Sequence, residues 1–233
     1  MKVKEEITRA VSSESPNASE TELNRKITVP NKPVYCFFKR LLDIIGSSVG
    51  LLVLLMPLLI VALIVVIDSP GAPPIYVQER VGKNGRKFRF YKFRSMVPHA
   101  DRMLQTLLEK NEMDGPVFKM KDDPRITRFG RFIRRTSIDE LPQLWNVLKG
   151  DLSLVGPRPG LPREVEQYTE YQSQRLLVTP GLTCYWQVQP KRNSLSFDEW
   201  VALDLKYICE RSFWLDLKLI FKTVGAVFGQ EGQ

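Results

Sequence analysis

The stretch that decides the architecture is Ile44 to Ile67, IIGSSVGLLVLLMPLLIVALIVVI, 24 residues without a charge. As one helix it would be roughly 36 Å long at ~1.5 Å per residue, enough to cross a bilayer. Its flanks argue against a simple crossing. Lys39 and Arg40 precede it, and Arg80, Lys83, Arg86, Lys87, Arg89, Lys92 and Arg94 follow, with no acid between Arg80 and Arg94. A crossing would send one basic flank outward, against the tendency of Lys and Arg to stay cytoplasmic. Pro57 sits near the middle of the run, where it removes a backbone hydrogen bond and bends a helix. Two readings follow. In one, the segment dips into one leaflet, bends at Pro57 and returns to the same face; in the other, it is a spanning helix with a tolerated proline. Both make the chain a membrane protein with a basic working domain at the surface.

The remaining composition agrees with a membrane-surface protein. The chain has 233 residues and a formal net charge of +8, room for one domain and its anchor. Positive charge facing a membrane suits anionic lipid or phosphorylated substrates. No nucleic-acid-binding module accompanies it, so nucleic acid is not an expected partner. Cys36, Cys184 and Cys209 have neither metal-ligand spacing nor a disulfide framework, and read as buried or incidental thiols in a reducing compartment. The one histidine, His99, reads as a surface residue. Residues 1 to about 33 are polar and are expected to be largely disordered. The apolar run starts too far in, and is too long, for a cleaved signal peptide.

Beyond the anchor, Ser69-Pro70-Gly71 and Pro73-Pro74 end the membrane element. Asn84-Gly85, between Ile75–Gln78 and Phe88–Phe93, predicts a hairpin. Residues 98–112 predict a polar helix, 126–148 a mainly helical stretch, Val155–Pro162 a proline-stiffened loop, and 163–177 and 196–211 two further helices. Thr179-Pro180-Gly181 separates the last two as a turn. The tail FWLDLKLIFKTVGAVF (213–228) has Trp214, Leu217, Ile220, Phe221, Val224 and Phe228 at helical spacing. It suits either the membrane interface or a core-packed terminal helix.

The chemical centre is expected in Thr136-Ser137-Ile138-Asp139-Glu140-Leu141-Pro142. Proline fits only the first turn of a helix, so the helix should start near Ile138 or Asp139, with the carboxylates at its positive end. Arg125, Arg128, Arg131, Arg134 and Arg135 lie upstream. Downstream, Gly156-Pro157-Arg158-Pro159 holds an arginine between two prolines. Carboxylates among arginines at a helix start can hold a divalent cation and phosphate groups together. The bland reading is a structural cluster in which Arg134 and Arg158 neutralise Asp139 and Glu140.

Over residues 35 to 228 the chain resembles the bacterial sugar transferases, monotopic phosphoglycosyl transferases that begin lipid-linked glycan assembly. The marks are Lys39-Arg40 with Asp43, Gln78…Arg80-Val81-Gly82, Lys92-Phe93-Arg94-Ser95-Met96, and Asp123-Pro124-Arg125-Ile126-Thr127 through Ser137 to Asp151, ending in Gly156-Pro157-Arg158-Pro159. The resemblance implies an α+β fold: a re-entrant helix-break-helix anchor and a small, mainly helical catalytic domain on the cytosolic face, with a β-hairpin and interfacial amphipathic helices. The corresponding division is a polar tail over 1–34, the anchor over 35–70 and the transferase domain over 71–233.

The resemblance also implies a reaction. Asp139 would attack the β-phosphate of a UDP-sugar, UMP would leave, and a polyprenyl (undecaprenyl) phosphate would take the phosphosugar from the enzyme, the first membrane step of exopolysaccharide, capsule or other glycan assembly. Glu140 would help Asp139 hold Mg²⁺ or manage protons. Arg134 and Arg158 match phosphate-contacting positions, and Asp204 a further position grouped with them whose role is open. The implied setting is the cytoplasmic face of a bacterial membrane, with anionic lipids, further copies of the chain and other glycan-assembly proteins as candidate partners. Larger members carry additional N-terminal spanning helices, which are not expected here.

Two departures stand out. Met56 precedes Pro57 where the family has serine, and Cys184 and Pro190 replace glycines in the stretch Thr179 to Arg192, which bears on substrate identity. The competing function class is a non-catalytic, membrane-bound basic scaffold for glycan-assembly partners; Mg²⁺-dependent UMP release separates the two.

Overall fold

The structure is a computed structural model that describes residues 26–112, 114–118, 120–189 and 194–228. Residues 1–25 of the polar tail lie outside the described residues, as do Pro190, Lys191 and Arg192 of the altered loop. In the remainder of the tail, Ile27 and Val29 lie against the main core.

The apolar run forms two helices, α1 (Pro33–Val53) and α2 (Leu55–Asp68), bent by 63°. Pro57 accounts for the position of the break. It has no N–H to offer the carbonyl four residues back, and its ring crowds that carbonyl; that residue is Val53, where α1 ends. The ladder resumes at once, with Leu58 N donating to Leu54 O at 2.8 Å. Among the described residues no single helix is long and apolar enough to cross a membrane, but the bent pair passes on length and composition together. Phe37, Ile45, Leu52, Met56, Ile60 and Ile67 are exposed along the pair, a far larger apolar surface than a water-facing helix normally shows.

One face of α1 is polar and turned inward. Arg40 donates through both terminal nitrogens, at 2.7 Å each, to the carbonyls of Val147 and Leu148. Those carbonyls belong to the last turn of α4 (Leu144–Lys149), where unpaired carbonyls favour a cation. Asp43, buried, accepts from Ser153 Oγ at 3.0 Å and Leu154 N at 2.8 Å. Lys39 reaches Val155 O at 2.9 Å and Asp216 Oδ2 at 2.8 Å. The Lys39-Arg40…Asp43 cluster thus fastens the bent pair to the segment that leads into Gly156-Pro157-Arg158-Pro159.

The predicted hairpin is present as β1 (Ile75–Val81) and β2 (Lys87–Phe93), antiparallel with Ile75 opposite Phe93. Asn84 and Gly85 both take positive φ, 56° and 79°, as a tight turn requires. The polar helix expected over 98–112 is instead two 3₁₀ turns, Ala100–Met103 and Gln105–Lys110. Within them only Ala100 and Leu107 are buried hydrophobics, too little apolar contact to hold a longer helix.

Next comes α3 (Arg128–Arg135), capped by Thr127 Oγ1, which accepts from Gly130 N at 2.9 Å. The helical stretch expected over 126–148 is broken at Ser137, whose φ of 56° turns the chain. A 3₁₀ turn, Ile138–Gln143, follows and leads into α4. The expected start at Ile138 is present, but Pro142 lies inside a 3₁₀ turn and not in the first turn of an α-helix.

Short strands β3 (Ser153–Val155) and β4 (Gly181–Thr183), which the sequence did not signal, pair in parallel and meet the expected loop and turn only at Val155 and Gly181. Three residues are too few for alternation to show. Gly181 is required at this contact: a Cβ there would meet Gly156 N at 2.0 Å. The helix expected over 163–177 is three pieces, α5 (Pro162–Val165), α6 (Glu170–Ser173) and a 3₁₀ turn (Gln174–Leu177). Thr169 causes one break by capping a new helix through Gln172 N. Helices α7 (Phe197–Glu210) and α8 (Phe213–Phe228) match expectation, α7 starting at a Ser196–Glu199 capping box.

Mixed helices and small sheets make the chain α+β. The main core joins Val155, Phe197, Val201, Leu205, Ile208 and Leu219. A second packs Val65 of α2 against Phe93 and Ile133, and a third joins Phe90, Val147 and Leu152. In α8, Leu219 is buried in the core, as a core-packed terminal helix requires, while Trp214 and Phe221 face outward. All three cysteines are free, Cys184 buried and the other two exposed.

Candidate active site

Hairpin, 3₁₀ turn and proline loop meet around a cleft of about 730 Å³. Asn146 of α4 sets the distance between two of its walls. Its side chain accepts from Tyr91 N at 3.1 Å and donates to Arg89 O at 2.6 Å, locking α4 and the 3₁₀ turn to β2. Lys92 of β2 and Asp139 and Glu140 of the turn therefore line one cleft with Arg134 and Arg158.

The two carboxylates are in different environments. Glu140 is paired: Arg158 Nη2 donates to its Oε1 at 2.5 Å. Burial would raise the Glu140 pKa, but the charge and hydrogen bond of Arg158, with Lys92 and Arg80, outweigh it and hold Glu140 below the usual range. Asp139 is 8% exposed and has no hydrogen bond or ion pair among the described residues. Burial, then the charge of Glu140, push its carboxyl up to about 7 against the pull of Lys92, Arg134 and Arg158. Lys92 is lowered to about 8, chiefly by burial and then by the nearby arginines, while Asp139 opposes the shift. This is a wall of excess positive charge with one unpaired carboxylate in it.

The proline loop is held from behind. Arg80 Nη1 donates to Pro159 O at 3.0 Å and Arg175 Nη2 to Arg158 O at 3.2 Å. Asp204, grouped from sequence with the phosphate contacts, is fully buried and does not line the cleft. It grips Arg175, with Nε to Oδ2 at 2.8 Å, and its pKa is raised to about 6 by burial against the pull of Arg175. Asp204 reaches the site through Arg175. Arg134 is exposed, at the rim. Pro57 lies in the bent helix pair, away from these walls.

Lys92, Arg80, Arg175 and the stacked pair Trp186–Trp200, 4.2 Å between ring centres, also line the cleft. In the sequence, Arg80 and Lys92 belong to a basic flank and to motifs that resemble the family's, and Trp186 belongs to the altered stretch Thr179 to Arg192 that bears on substrate identity; no local signal marks Arg175 or Trp200.

Asp139 and Glu140 are the cleft carboxylates that would hold Mg²⁺. Among the described residues no three or more His, Cys, Asp or Glu form a cation cage, and Mg²⁺ typically takes one or two carboxylates with phosphate oxygens. Asp139 and Glu140 are such a pair.

A family model described as bacterial sugar transferase matches residues 34–230. The chain is 51% identical over 189 residues to the galactosyl transferase CpsE of Streptococcus agalactiae, covering 81% of this chain and 42% of that protein. It is 44% identical to the undecaprenyl-phosphate galactose phosphotransferase of Salmonella typhimurium, covering 84% of this chain and 41% of that one. Against the exopolysaccharide production protein ExoY of Rhizobium meliloti it is 38% identical, covering 84% and 88%. The chain therefore spans about two fifths of the length of the first two relatives.

Proposed function

The chain belongs to the bacterial sugar transferase family, and from that premise we propose that it transfers a sugar 1-phosphate from a UDP-sugar to polyprenyl phosphate, with release of UMP. The observation that carries this reading is Asp139, an unpaired carboxylate in a cleft lined by Lys92, Arg134 and Arg158. Relatives named for undecaprenyl-phosphate transfer of galactose, N-acetylgalactosamine and glucose support the substrate classes.

In the first step an Asp139 carboxylate oxygen attacks the β-phosphorus, and the bond from that phosphorus to the bridging oxygen breaks, so UMP leaves with the electron pair. In the second, a phosphate oxygen of the lipid acceptor attacks the same phosphorus. The Asp139–phosphorus bond breaks, a lipid diphosphate sugar forms and the carboxylate is regenerated. Splitting the transfer this way avoids bringing two phosphorylated substrates together at once. Lys92 and Arg158 offset the charge that develops on phosphate oxygens. Glu140 orients Arg158 and, with Asp139, would hold Mg²⁺, which supplies further charge neutralisation when bound. The bent pair of α1 and α2 lies in one leaflet as a re-entrant anchor, with the cleft on the cytoplasmic face; the inward Lys39, Arg40 and Asp43 support this reading, because they tie the anchor to the catalytic body on one side.

The test is the purified full chain with undecaprenyl phosphate, Mg²⁺ and UDP-galactose, UDP-glucose or UDP-N-acetylgalactosamine, reading UMP. Release with at least one donor is expected. No release with any would leave the scaffold reading in its place.

A further inference from the structure

Glu140 and Arg158 use only part of the positive charge in the cleft. Arg94, just past β2, is 7% exposed and lines the same cleft as Lys92, two residues before it. Its N–H extends the hairpin ladder to Pro74 O at 2.8 Å. Its Nη2 donates to the carbonyl of Ser69, the residue that caps the end of α2. Its Nε and Nη1 are buried without a partner among the described residues, as is the Ser69 hydroxyl. Acids on this part of the wall are engaged elsewhere: Asp123 by Arg125 at 2.6 Å, and Asp101 by the Tyr76 hydroxyl at 3.1 Å.

A guanidinium out of water and without a counter-ion is unfavourable. It calls for an anion, and two free donor nitrogens suit phosphate oxygens. The location says which phosphate. Arg94 stands where the apolar α2 ends and the hairpin begins, so an anion carried on a lipid meets it at the anchor's edge of the cleft.

We propose that Arg94 forms an anion subsite, separate from the Glu140–Arg158 end, that receives the phosphomonoester of the lipid acceptor at the junction of α2 and the hairpin. This rests on the transferase reading for the identity of the acceptor. From Arg94 the lipid phosphate lies along the same cleft as the phosphorus to be carried on Asp139.

Binding, not turnover, tests it first. The full chain, in nanodiscs of neutral lipid and without UDP-sugar, is titrated with undecaprenyl phosphate, for the parent, Arg94→Gln and Arg94→Lys. Loss of a charge-assisted contact weakens Arg94→Gln about tenfold, with Arg94→Lys between it and the parent. UMP release in the first half-reaction, without lipid, is expected to fall less than lipid affinity in both variants. Parental lipid affinity in Arg94→Gln overturns the proposal, as does an equal loss of the lipid-free half-reaction, which would give Arg94 to the nucleotide or to folding. Competition by inorganic phosphate at concentrations equal to the lipid would make the subsite one for free phosphate and overturn the lipid assignment. Should Arg94→Gln not fold, Arg94→Lys decides: several-fold weaker lipid binding supports the subsite, and parental affinity overturns it. If the parent binds lipid through Arg94 yet releases no UMP with any donor, the subsite stands and the transferase reading falls.

Discussion

Arg158 donates to Glu140 at 2.5 Å, while Asp139, next to Glu140 in the chain, has no partner among the described residues. Adjacent carboxylates are thereby separated into a paired one that fixes an arginine and an unpaired one.

Asp139→Asn should abolish both half-reactions and leave folding and membrane association intact. Mass spectrometry of the parent, incubated with UDP-sugar and Mg²⁺ but no lipid, should find a phosphosugar on the peptide that contains Asp139. Kinetics that require both substrates bound together, with no adduct, would replace this with direct transfer. Glu140→Gln should also be severe, because it releases Arg158 and weakens metal binding.

Arg158→Lys keeps the charge but loses the planar guanidinium that can meet Glu140 and phosphate oxygens together. Turnover should fall by about tenfold or more. A rate near the parental value would make Arg158 a simple point charge.

In the metal-free protein Asp139 loses its proton at about 7, and stability should follow that proton. Native Asp139 keeps its proton to about 7, whereas the ordinary value is 3.8. The native state therefore binds more protons in that window, and stability falls as pH rises through it. Asp139→Asn removes this dependence, so its melting temperature should exceed the parent's above pH 7 and the gap should close in acid. A gap that widens in acid would contradict the buried placement.

Asp43→Ala strands the Ser153 hydroxyl and the Leu154 N–H beneath α1. Thermal unfolding should show a loss of about 1–3 kcal/mol, with membrane association retained by the apolar face. Loss of association without loss of stability would mean that Asp43 does not hold the anchor to the body.

Pro57→Leu restores a donor for the Val53 carbonyl and should straighten the pair. Cysteines introduced at Asn31 and Ala72 should both be shielded from impermeant reagent in intact cells carrying the parent. In Pro57→Leu one of them should become reactive. Reactivity of either in the parent would refute the re-entrant anchor.

The apolar run and its break, the hairpin and α7 were legible because each has a local cause: an uncharged stretch, a proline, an Asn-Gly turn, a capping serine. What the sequence could not decide came from contacts distant in the chain. The parallel pairing of β3 and β4 rests on the approach of Gly156 and Gly181, in strands too short to carry a pattern. Sequence could place Asp139 beside Glu140, but it could not say which one would be paired. That required Arg158, 18 residues on from Glu140, to be held by Arg80 and by an Arg175–Asp204 pair 29 residues apart in the chain. Local chemistry set which groups were available. Burial and long-range pairing, which depend on tertiary packing, decided which of them was left free.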